Sequence, residues 1–118
     1  MKKTLKTIIL LALSFQALAM DHPIVCQTPQ GNKGFTIFKS HVAFHKGGLD
    51  QKRVPASIKK IRTKKTTRGF SKVLFYEGKK YTLHVDNTKS FSWVNDYVVV
   101  RNKSGHEITY PLECWVRD

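Results

Sequence analysis

From Ile24 onward, hydrophobic and polar residues alternate in short runs separated by turn residues. Period-two alternation is the signature of half-buried strands. Ile24 and Cys26 alternate with Val25 and Gln27, and Pro29-Gln30-Gly31-Asn32 breaks the run. Residues 34–45 read as one long strand or a bent pair, with Phe38, Val42 and Phe44 on one parity and Gly47-Gly48 at the end. Residues 70–76 and 80–86 flank Gly78-Lys79. Glycine first in a two-residue loop predicts a type II′ hairpin. That register sets Glu77 against Lys80, Tyr76 against Tyr81 and Leu74 against Leu83.

Further along, Ser90-Phe91-Ser92-Trp93 alternates strictly, which predicts inward Phe91 and Trp93. Tyr97 to Arg101 is short and β-branched, and Asn102-Lys103-Ser104-Gly105 is a turn. His106, Ile108, Tyr110, Leu112 and Cys114 share one parity, with Pro111 on the other. A proline there marks an edge strand or a bulge. Residues 51–67 differ: Val54, Ile58 and Ile61 have the spacing of a short helical turn beginning near Pro55, against β-branched neighbours that favour an irregular excursion. The expected fold is all-β, a small antiparallel barrel or sandwich of six or seven strands, with at most one short helical turn.

The first 19 residues follow different rules. Lys2, Lys3 and Lys6 precede the apolar run Ile8-Ile9-Leu10-Leu11-Ala12-Leu13, and Ala17-Leu18-Ala19 supplies a small-x-small cleavage pattern. This reads as a bacterial-type signal peptide over residues 1–19, leaving one domain over 20–118. The apolar run falls short of the ~20 residues a bilayer requires, and no later stretch approaches that length. The expected location is the periplasm or the extracellular medium. Cysteine usage agrees. Cys26 and Cys114 lie near the two ends of the domain on inward parities, so a bridge between them requires the terminal strands to be neighbours.

Charge then narrows the function. The chain carries 21 Lys and Arg against 8 Asp and Glu. Removing Lys2, Lys3 and Lys6 leaves 18 against 8, a mature charge of +10. Between Asp50 and Glu77 there is no acidic residue, while Lys52, Arg53, Lys59, Lys60, Arg62, Lys64, Lys65, Arg68 and Lys72 fall in that interval. Unopposed like charges repel, and a polyanion relieves that repulsion. Ile58-Lys59-Lys60-Ile61-Arg62-Thr63 also matches a loose basic pattern common in heparin-binding proteins. The expected contacts are Arg53, Lys59, Lys60, Arg62, Lys64, Lys65 and Arg68. Intracellular nucleic acid is disfavoured by export and by the lack of interleaved aromatics, since only Phe70 lies between Lys52 and Lys72.

Other chemistry finds little support. There is no G-x-S-x-G, H-E-x-x-H or phosphate-cradling glycine loop. Glu107 and Glu113 on one strand stand about 20 Å apart, too far to flank a glycosidic bond. His41 and His45 on a strand stand about 13 Å apart, beyond the reach of one ion. His84 and His106 read as surface and turn histidines. Cleavage after Ala19 would give a Met20-Asp21-His22 terminus, whose amine and third-position imidazole have the spacing of a square-planar Cu(II) or Ni(II) site. A third-position histidine arises often by chance, so no metal site and no cofactor are expected.

The expected function is therefore an exported, non-enzymatic binding module for an anionic glycan, lipid headgroup or other polyanion. A small exported barrel bridged between its end strands by Cys26 and Cys114 is also similar in outline to the periplasmic lysozyme inhibitors. That resemblance implies a protein–protein module inhibiting a secreted or periplasmic enzyme. The basic charge of this chain calls for an acidic target.

Overall fold

The computed structural model describes residues 22–49 and 55–117. The expected signal peptide, its cleavage bond, Met20-Asp21 and the segment containing Lys52, Arg53 and Val54 lie outside the described residues. Every regular element described is a strand, and ten strands form two antiparallel five-stranded sheets packed as a sandwich.

The first sheet has the order β10-β1-β2-β3-β4. Its members are β1 (Ile24–Gln27), β2 (Lys33–Ile37), β3 (Val42–Lys46), β4 (Ala56–Ile58) and β10 (Glu113–Val116). The second has the order β5-β6-β7-β8-β9. It comprises β5 (Arg62–Lys65), β6 (Phe70–Tyr76), β7 (Lys79–Val85), β8 (Tyr97–Arg101) and β9 (Glu107–Pro111). Alternate residues point to one face, so Cys26, Phe35, Ile37, Val42 and Phe44 meet Leu74, Tyr81, Leu83, Val85 and Val98 between the sheets. Phe35 stacks on Phe44 at 5.1 Å between ring centroids, and Tyr81 packs against both. Burying each such side chain contributes about 2–3 kcal/mol.

Cys26 lies directly opposite Cys114 across the β1–β10 pair and is bonded to it, with Cα atoms 4.1 Å apart. The neighbouring terminal strands inferred from cysteine parity are present. The bridge spans a sequence separation of 88, and a loop of that size is worth about 4–5 kcal/mol on the chain-entropy model.

Several local expectations need correction. The segment 34–45 is the bent pair, two strands joined by a turn over Phe38–His41. The hairpin after β6 turns at Glu77-Gly78, both with positive φ (49° and 77°), and pairs Tyr76 with Lys79, Leu74 with Tyr81 and Lys72 with Leu83. Two positive φ values make a type I′ turn, whose twist matches the flanking strands, with glycine at its second position. The register moves by two residues from the type II′ expectation, so the inward set is unchanged. The helical turn after Pro55 is absent from the described residues, where β4 runs over Ala56–Ile58 instead. Ile58 and Ile61 reach the core from β4 and from the crossing to β5, not from one helical face.

Residues 90–93 form no strand. Phe91 reaches the core, but Trp93 is 62% exposed on a turn. That turn is held by Asp96, whose buried carboxylate accepts from the backbone N–H groups of Ser92 (3.0 Å) and Asp86 (2.9 Å). The single strand expected over 106–114 is divided. β9 ends at Pro111 on the edge of the second sheet, Leu112 is fully buried at the crossing, and β10 continues in the first sheet. Divisions of this kind raise the strand number above the expected six or seven.

Candidate polyanion-binding edge and adjoining cavity

The chain passes from the first sheet to the second at one side of the sandwich. β4 is the outer strand of the first sheet, β5 is the outer strand of the second, and residues 59–61 connect them. Ile61 anchors this crossing in the core, while Lys59 and Lys60 on the same connection are exposed. β5 itself, Arg-Thr-Lys-Lys, is exposed at all four positions. Five expected contact residues, Lys59, Lys60, Arg62, Lys64 and Lys65, are thus successive on one open edge. Among the described residues none has a carboxylate within salt-bridge distance. Arg68 differs: it sits in the turn between β5 and β6, with its guanidinium 3.8 Å from Asp86. Arg53 lies outside the described residues. Lysine-rich edge strands also resist edge-to-edge pairing, so these cations protect the open edge whatever they bind.

Strand parity divides this cluster. Register sets Arg62 against Val73 and Lys64 against Ser71 on the outer face, about 7 Å apart along the strand. Thr63 lies against Lys72, and Lys65 against Phe70, on the inner face. The inner-face members line a cavity of 520 Å³ between the two sheets. Ile24, Ile37 and Phe38 form its first-sheet wall; Thr63, Lys65, Gly69, Phe70 and Lys72 form the opposite one. Exposed His22 and Lys39 also line it.

Lys72 belongs to the basic run but is not among the expected contacts. It is only 5% exposed, within an inward series that runs Phe70, Lys72, Leu74 and Tyr76. Its ammonium donates to Thr63 Oγ1 at 2.8 Å and lies 5.7 Å from the Phe70 ring centroid. Burial, and then the nearby Lys65 charge, push the Lys72 pKa below the ordinary lysine value. The available signal was parity: a lysine two positions from an aromatic and two from a leucine in an alternating strand occupies a core position.

The histidines separate by environment. His41 stacks on Phe38 at 4.3 Å, and His45 Nε2 is 3.0 Å from Thr36 Oγ1 on the outer face of the first sheet. His84 lies on the outer face of the second sheet but is only 20% exposed, stacked on Tyr97 and 2.9 Å from Ser71 Oγ. His106 is exposed at the turn before β9. Among the described residues no three His, Cys, Asp or Glu side chains come together, and no helix is long and apolar enough to cross a membrane.

Comparison with known proteins adds no assignment: no protein-family model, curated protein or solved structure matches the chain.

Proposed function

We propose that the protein is an exported, non-enzymatic binding module that holds an anionic glycan, lipid headgroup or other polyanion along the β4–β5 edge. The observation carrying this reading is the run Lys59, Lys60, Arg62, Lys64 and Lys65, all exposed along one edge, with Arg62 and Lys64 on its outer face and Lys65 on its inner face, and with no carboxylate partner among the described residues. An edge strand presents its side chains in an extended row, which suits a linear array of phosphates or sulfates. Each neutralised anion releases a counterion, so affinity falls linearly on a log–log plot against salt. The Cys26–Cys114 bridge is compatible with an oxidising extracellular compartment and supports a periplasmic or secreted location.

Retention on a sulfated-polysaccharide column at graded salt tests the reading. The wild-type protein should elute late, and a Lys59→Glu/Lys60→Glu/Arg62→Glu variant early, with a slope shallower by up to about 3. Equal retention of wild type and variant overturns the assignment. A second reading, a protein–protein module such as an inhibitor of a secreted or periplasmic enzyme, draws on Trp93 and Val94. They are 62% and 70% exposed on the turn that Asp96 pins. Exposed aromatics on a fixed turn are suitable anchors for a protein partner.

A further inference from the structure

The cavity between the sheets has a chemistry that the outer edge does not share. Its walls are apolar where Ile24, Ile37, Phe38 and Phe70 contribute, and among the described residues lining it are three lysines, Lys39, Lys65 and Lys72, and no carboxylate. A core that needed only filling would be served better by methionine or leucine at position 72, because burying an ammonium carries a desolvation cost. Thr63 accepts one hydrogen bond from Lys72, and an ammonium has three donors. The Phe70 ring offsets part of the remaining cost. Lys65, on the same face one register step away, adds a second positive charge. The volume of 520 Å³ falls in the usual range for small-molecule sites of roughly 300–1,000 Å³.

We propose that this cavity binds a single-chain anionic amphiphile, with the apolar chain between Ile24, Ile37, Phe38 and Phe70 and the carboxylate or phosphate head on Lys72 and Lys65. The anion supplies acceptors for the Lys72 donors that Thr63 leaves unused, and its chain covers apolar surface that faces the cavity. This site is separate from the outer-face contacts of Arg62 and Lys64. Its ligand is a monomer taken between the sheets, not a polymer laid along the edge.

Isothermal calorimetry on the oxidised protein tests the proposal with decyl phosphate, decanoate and decan-1-ol, each below its aggregation threshold. The anions should bind saturably with one site, and at least about tenfold more tightly than the alcohol, the span of a buried charge-assisted hydrogen bond. The phosphate and carboxylate arms identify which head the site prefers. Lys72→Met should abolish the preference for anion over alcohol, whereas Lys72→Arg should retain most of it. The edge variant Lys59→Glu/Lys60→Glu/Arg62→Glu should leave decyl phosphate affinity within about twofold, because exposed charges at a distance are screened. Failure of polysaccharide retention would therefore leave the cavity proposal standing, and the reverse also holds. Equal affinity for anion and alcohol in the wild type overturns the proposal without recourse to any variant. So does binding to anionic phospholipid vesicles with none to the monomeric amphiphiles, which would place the ligand at a membrane surface.

Discussion

The two ends of the sandwich each carry lysines on inward-facing parity, and they treat them differently. At the end where β6 turns into β7, Lys33 and Lys46 face each other across the β2–β3 pair. Lys46 pairs with Glu77 at 3.1 Å, and Lys33 lies 4.4 Å from the Tyr110 ring centroid. Lys46 and Glu77 both remain more than half exposed, so water shares the load. At the other end, where β5 turns into β6, Lys72 is buried beside a cavity and donates to the neutral Thr63 hydroxyl. The first end resolves its charge within the protein. At the second, among the described residues, the Lys72 ammonium has a single neutral hydrogen-bond acceptor.

The largest expected difference between the ends concerns their glycines. A Cβ on Gly69, at the cavity end, would overlap the Val85 and Asp86 carbonyl oxygens. These are backbone atoms of the β7 terminus, so relief requires moving a strand. Gly69→Ala should cost about 2–3 kcal/mol in urea denaturation. A Cβ on Gly78, at the opposite end, meets only the flexible Lys103 side chain, and its φ of +77° sets the penalty. Gly78→Ala should cost about 1 kcal/mol. Equal costs would mean that the β5–β6 turn yields more easily than its packing indicates.

Lysine replacement sharpens the contrast by sign. Lys72→Met removes a buried charge and retains the apolar stem, so stability should rise by about 1 kcal/mol. Lys46→Met breaks an exposed pair and should lower it by less than about 1 kcal/mol. Urea midpoints at neutral pH measure both. A loss in Lys72→Met would show that its bond to Thr63 outweighs desolvation and would remove the reason for the cavity's anion.

The smallest effect separates the ends by pH. Burial, and secondarily the Arg117 charge, lower the His45 pKa below 6.5. The native state then binds fewer protons than the unfolded chain between that lowered value and 6.5. Stability from this source is lowest below the window, rises through it and is complete above 6.5. For Lys72, also shifted down, the same sign applies but the window lies below 10.5. Urea midpoints at pH 5 and pH 7.5 should differ more in the wild type than in His45→Gln, and Lys72→Met should leave that difference unchanged.

Much of this architecture is legible in the sequence because alternation is a local property. The parity of Cys26 and Cys114 points to their bridge, and Pro111 marks an edge strand. The features that escaped depend on partners far along the chain. The choice between a type I′ and a type II′ loop shifts pairing by two residues and leaves every inward side chain inward, so hydrophobic pattern alone does not distinguish them. Leu112 continues the parity of Tyr110 and Cys114, yet the chain changes sheets there, because Cys114 must reach Cys26. Trp93 alternates with Phe91, but Asp96 holds the backbone in a turn and directs the ring to solvent. Lys72 looked like one more member of a basic run. Only register showed that Lys65 shares its face while Lys64 does not.

One covalent link has a further effect. Because Cys26 joins Cys114, 88 positions later, the chain between them is a closed ring. A single protease cut within that ring, for example at the exposed lysines of the β4–β5 connection, yields two pieces that stay attached until a reductant arrives. In an environment rich in trypsin-like enzymes, the molecule can be nicked at its most cationic segment without falling apart.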